Sequence, residues 1–164
     1  MTPLEILMAG AGVVAASSCC AAPSLWRARF AAILMALACL PIADGRWALG
    51  VGVALFVASI LLAAGARSRP SSARSMDLHR ALGGALMGGM VLLGEHTADV
   101  SSGAHAHGVP AHAILAVASV VYLAWTCALL ADRVRRHRVA ERTELIAMAV
   151  MFGAMILGMG SALV

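Results

Sequence analysis

The chain has 164 residues, 62% of them hydrophobic and 12% charged, with a net charge of +4 and a mean hydropathy of +0.90. A soluble domain carries about 25% charged residues, so this composition argues against one and for a membrane protein. The cysteines, Cys19, Cys20, Cys39 and Cys127, fall inside apolar runs and form no secreted disulfide framework.

The apolar runs approach the ~20 residues that cross ~30 Å of hydrocarbon as helix. Spans are expected at 4–22, 28–42, 47–65, 78–94, 111–131 and 144–163. The fold class is therefore all-α, a polytopic bundle of six transmembrane helices forming one domain over 1–164. The N-terminal run has no basic flank, Glu5 being its only charge, and reads as a retained span rather than a signal peptide.

Arginine orients the bundle. Arg27 and Arg29 follow span one. Arg67, Arg69 and Arg74 follow span three, and Arg80 lies just inside span four. Arg133, Arg135, Arg136, Arg138 and Arg142 follow span five, leaving only Arg46 on the opposite side. By the positive-inside rule these loops are cytoplasmic and both termini external, as expected for a multi-pass protein of the plasma membrane. The Ser/Arg-rich stretch 66–77 (ARSRPSSARSMD) is then a cytoplasmic linker beside anionic headgroups. Neither it nor the basic cluster at 133–142 is accompanied by an aromatic platform, so nucleic acid is not an expected partner. The lipid bilayer is.

Span four is rich in glycine. Gly84 with Gly88, and Ala85 with Gly89, make small-xxx-small pairs that let a neighbouring helix approach closely. The same span carries His79, Met87 and Met90, preceded by Met76. Between spans four and five lies the stretch 95–111, an external loop that with His112 holds Glu95, His96, Asp99, His105 and His107. His105 and His107 could present two imidazoles to one Cu(II) or Zn(II) ion, although the spacing matches no structural zinc motif. The alternative is a polar loop with no ligand.

Span six, Glu144 to Met159, places Glu144, Met148, Met151, Met155 and Met159 within an arc of roughly 80° at about 100° per residue. Spans four and six both run outward, so they are parallel and can be matched by depth. Aligned on His79 and Glu144, Met87 and Met90 come to the level of Met151 and Met155. If the two stripes face each other, thioethers converge mid-membrane and a His79–Glu144 pair lies about two turns nearer the cytoplasm. Thioether sulfur is soft and uncharged and selects Cu(I) over harder ions. Methionine also fills irregular gaps in cores, so the same stripes could be packing surfaces. Met8 lies about one turn beyond Glu5, and Met35 about one turn before Cys39; these are further, weaker soft pairs.

These features resemble an uncharacterised family of Met- and His-rich six-span membrane proteins of actinobacteria. The likeness rests on Asp77-Leu78-His79-Arg80 followed by Leu86-Met87 and Met90, on His105-Ala106-His107-Gly108, and on the Glu-led methionine helix from Glu144 to Met159. The family often has consecutive histidines where this chain has only His79, and more methionine in span two, where only Met35 remains beside Cys39. The resemblance implies topology and no activity.

Two functions follow as expectations. The first is a copper-handling membrane protein, a Cu(I) chaperone, transporter or insertion factor for a membrane cuproenzyme. It would use His79, Met87, Met90, Met148, Met151, Met155 and Met159 with Glu144, and His96, His105, His107 and His112 as an outer site. The second is a non-catalytic structural or assembly subunit of a larger membrane complex. No Ser/His, paired Asp or Cys/His arrangement comes to one depth, so an enzyme is not expected.

Overall fold

A backbone that must satisfy its own hydrogen bonds over long apolar runs forms helix, and six helices follow one another along this chain. They are α1 (Pro3–Ala21), α2 (Trp26–Ala38), α3 (Ala48–Ala66), α4 (Ser71–Asp99), α5 (Ala111–Arg135) and α6 (Val139–Ser161). The computed structural model describes residues 3–21, 26–39, 47–99, 111–135 and 139–161. Among them the chain is all-α.

Several boundaries differ from those expected. α4 starts at Ser71 and α3 ends at Ala66, so eight of the twelve residues of the expected 66–77 linker are helix. Pro70 sets this start: its carbonyl accepts the amides of Ala73 (3.0 Å) and Arg74 (2.9 Å), and proline lacks only an N–H that a first turn leaves unused. Arg74 Nη2 then donates back to the carbonyls of Arg67 (3.2 Å) and Arg69 (3.1 Å), fastening the α3–α4 corner. α4 also runs to Asp99, past the expected end at 94. α6 begins at Val139 rather than 144. α2 stops at Ala38 and has 13 residues, a length of about 20 Å.

Two stretches, Ala48–Ala66 and Ala113–Arg133, are long and apolar enough to cross a bilayer, and Ile6–Ala21 is a shorter apolar helix. Among the described residues the other helices offer no further stretch of this kind. α2 is short for ~30 Å of hydrocarbon, and ionic residues occupy the early turns of α4 (Asp77 and Arg80) and of α6 (Glu141, Arg142 and Glu144).

Side-chain order along the contacts gives the helix directions. Ser59, Leu55 and Gly52 on α3 meet Gly84, Gly88 and Leu92 on α4, so these two are antiparallel. A Cβ added at Gly88 would lie 3.0 Å from the Gly52 carbonyl, and one at Gly84 would lie 2.6 Å from Ser59 Oγ. The expected small-residue face of α4 is thus the seat of α3. Arg80 meets Glu144 and Gly83 lies by Met148, so α4 and α6 are parallel, in the depth register expected from the sequence. They meet through long side chains; the helices packed directly along α6 are α1 and α5.

Apolar side chains are found both in the core and on the exterior, and ionic side chains are buried among them. Large exposed apolar side chains occur on all six helices, among them Ile6, Phe30, Val53, Ile60, Leu82, Val117, Val121 and Ile146. Buried side chains include Asp77, His79, Arg80, Ser119, Thr126, Arg133 and Glu144.

Candidate functional site

The third turn of α4 and the second turn of α6 bring Arg80 and Glu144 together. Nε and Nη2 of Arg80 donate to Oε1 and Oε2 of Glu144 at 2.6 and 2.7 Å, a two-pronged fork on a carboxylate. Asp77 Oδ1 lies 3.4 Å from Arg80 Nη1, and Asp77 Oδ2 lies 3.4 Å from Arg69 Nε. Guanidinium and carboxylate therefore alternate from Arg69 through Asp77 and Arg80 to Glu144. Near the same end Arg133 Nη1 pairs with Glu141 (3.0 Å), while its Nη2 donates to Ser75 (3.1 Å), tying α5, α6 and α4.

The partner of the Glu144 carboxylate is thus Arg80 and not His79. His79, one residue earlier and about 100° round the helix, points to α5. Its Nε2 lies 2.8 Å from Thr126 Oγ1, and that hydroxyl donates to the Tyr122 carbonyl at 2.8 Å. With its proton committed to the carbonyl, Thr126 accepts from His79, and the network assigns the Nε2–H tautomer. Nδ1 is left with a lone pair, 3.4 Å from the Tyr122 hydroxyl. That hydroxyl also lies 3.6 Å from Met148 Sδ. Tyr122 stacks on the imidazole with centroids 4.6 Å apart, and Trp125 meets it edge-on at 5.6 Å. Space for this group comes from Gly83, where a Cβ would stand 2.6 Å from Tyr122 Oη and 2.8 Å from Met148 Cε.

One helical step deeper, Met148 and Met151 of α6 and Met35 of α2 line a small cavity of about 10 Å³, together with Gly12, Ala15, Ala32, Arg80 and Glu144. This is room for about one water-sized particle. The glycine and alanines of α1 and α2 contribute no bulk, so long side chains from α2, α4 and α6 define the space. Behind Met151, the Cys39 thiol lies 3.3 Å from its sulfur and donates to it.

The expected ligands divide accordingly. Met87, Met148 and Met151 share one buried cluster with Met35, Cys39, Leu55, Leu86, Tyr122 and Phe152, and Met90 and Met155 pack partly buried against it. The methionines of α4 and α6 therefore do come to one core, but Met87 and Met90 do not line the cavity. Both Glu144 oxygens are taken by Arg80. His105 and His107 lie outside the described residues, as do the side chains of His96, His112 and Met159. Among the described residues no trio of His, Cys, Asp and Glu stands close enough to hold a metal ion.

Reading the sequence for ligands missed the α5 contribution. Ser119, Tyr122 and Thr126 recur at helical spacing on an otherwise apolar helix, and all three are buried. That polar stripe was the available signal. In the sequence Arg80 reads as a topology signal, and Met35 with Cys39 as a weak soft pair. No family model, curated protein or solved structure matches the chain.

Proposed function

We propose that this chain is a six-span integral membrane protein of the plasma membrane, with both termini external, that handles Cu(I) as its cargo through buried sulfur. The membrane part is supported by the two long apolar helices α3 and α5, by large apolar side chains exposed on all six helices, and by buried ion pairs among α4, α5 and α6. The arginine asymmetry supplies the orientation, and the motif likeness to the Met/His-rich actinobacterial family belongs to the same reading.

The copper part is carried by one observation. Methionines from two helices, Met35, Met148 and Met151, bound a single cavity of atomic size, with the Cys39 thiol beside Met151. Thioethers need no deprotonation and favour Cu(I). They also enter lipid without the desolvation cost of charged ligands. His79, Met87, Met90 and Met155 then serve as neighbours along a route, with His96, His105, His107, His112 and Met159 at its outer end and a membrane cuproenzyme as the recipient.

The test is copper content after loading purified protein under reducing conditions. Stoichiometric copper in the wild type, lost in a Met148→Leu/Met151→Leu variant that still folds, supports the reading. No copper in either, or equal copper in both, sinks it.

A second reading, a non-catalytic assembly subunit, is favoured by the density of the same core, where Phe152 and Tyr122 pack at 4.6 Å beside Met148. In that case the methionines are filling and a stable partner co-purifies in mild detergent.

A further inference from the structure

The cavity wall that carries the sulfurs also carries an ion pair, and its geometry bears on which cations can enter. A carboxylate beside thioethers would by itself be a mixed hard-and-soft site, suited to divalent ions. Here both oxygens of Glu144 are held by Arg80 at 2.6 and 2.7 Å. We infer that Arg80 is the specificity-determining residue of the cavity: by occupying the Glu144 carboxylate it restricts the site to soft monovalent cations. This rests on the reading of the cavity as a Cu(I) site and names the class of ion it takes.

The physical argument has three parts. First, the fork matches both carboxylate oxygens at once, which lysine's point charge cannot do. Second, the guanidinium remains on the cavity wall as a fixed positive charge, and its repulsion of an entering cation doubles when the cation is divalent. Third, what is left facing the cavity is uncharged sulfur, which compensates a divalent ion poorly and holds Cu(I) or Ag(I) well. The arrangement also holds Arg80 from a second side, since Asp77 lies 3.4 Å from its Nη1 and is itself 3.4 Å from Arg69. Glu144 has no such second cation among its described contacts. Loss of Arg80 would therefore free Glu144 toward the cavity while Asp77 kept Arg69.

The experiment uses the full chain purified in detergent, with Ag(I) as a redox-silent probe and Cd(II) as the divalent competitor, read by equilibrium dialysis and metal analysis. The wild type is expected to bind Ag(I) and to keep it against excess Cd(II). Arg80→Gln is expected to lower that preference by at least about tenfold, corresponding to about 1.4 kcal/mol. Adding Glu144→Gln to Arg80→Gln is expected to remove the divalent uptake gained. An unchanged Ag(I)/Cd(II) preference in a folded Arg80→Gln protein overturns the inference. So does displacement of Ag(I) by Cd(II) from the wild type, a measurement that needs no variant to fold. Absence of Ag(I) binding in the wild type instead defeats the copper reading on which the inference rests.

Discussion

The interior of this bundle has two adjoining regions built on opposite rules. At the start of α4 and α6, Asp77, Arg80 and Glu144 are joined by directional, charge-assisted contacts. One step deeper, Met35, Met148, Met151 and Cys39 meet with almost no directional bonding, only a thiol and a phenol donating to sulfur. The ionic region fixes geometry, because a buried charge that loses its partner is expensive. The sulfur region tolerates change, because thioethers are flexible and uncharged. On the proposed reading, a site that both holds Cu(I) and releases it would gain from this pairing, with one rigid wall and one adaptable wall.

Substitutions in the two regions should separate in size. Glu144→Ala leaves Arg80 buried with only Asp77. It should cost about 3–5 kcal/mol, seen as a large drop in thermal unfolding temperature or loss of a monodisperse protein in detergent. A small loss would mean that water reaches the pair and that the ionic region is less rigid than its geometry implies. Gly83→Ala puts a methyl 2.6 Å from Tyr122 Oη at the border between the regions. It should cost about 1–3 kcal/mol by overpacking in the same assay, with the His79–Tyr122 stack displaced.

Tyr122→Phe removes the hydroxyl shared between His79 and Met148. About 0.5–1.5 kcal/mol is expected, again by thermal unfolding. Met151→Leu, inside the sulfur region, keeps volume and should cost less than about 1.5 kcal/mol while lowering bound copper. A substitution with little structural effect and a full functional one would sharpen the contrast most. Gly153→Ala has open space around its Cβ and replaces glycine in a helix. It should be neutral or stabilising by up to about 1 kcal/mol, and is the control for helix propensity alone.

The helix content and the relation of α4 to α6 were legible in the sequence. Apolar run length finds helices, and arginine asymmetry sets alternating directions, from which the parallel register of Arg80 with Glu144 follows. The identity of Glu144's partner was not legible. His79 and Arg80 are neighbours in sequence, and which of them faces α6 depends on where α5 sits. That position is fixed by Thr126, Tyr122 and Gly83, none of which is a soft-metal ligand by residue type. The start of α4 is not legible from polarity, which signals loop as readily as helix, whereas Pro70 begins a helix whose first turns are charged. The cavity was illegible for a different reason: it depends on small residues, Gly12, Ala15 and Ala32, whose importance lies in the space they leave.

Tyr122 is the sole tyrosine of the chain. Its hydroxyl has two acceptors within reach, an imidazole nitrogen and a thioether. Any phenol vibration or ultraviolet tyrosine signal from this protein therefore originates at the border between its ionic and sulfur regions. No label is needed to follow that border during metal loading. A cation that draws on the Met148 lone pairs should turn the phenol proton toward His79, and the tyrosine spectrum would register the turn in the unmodified chain.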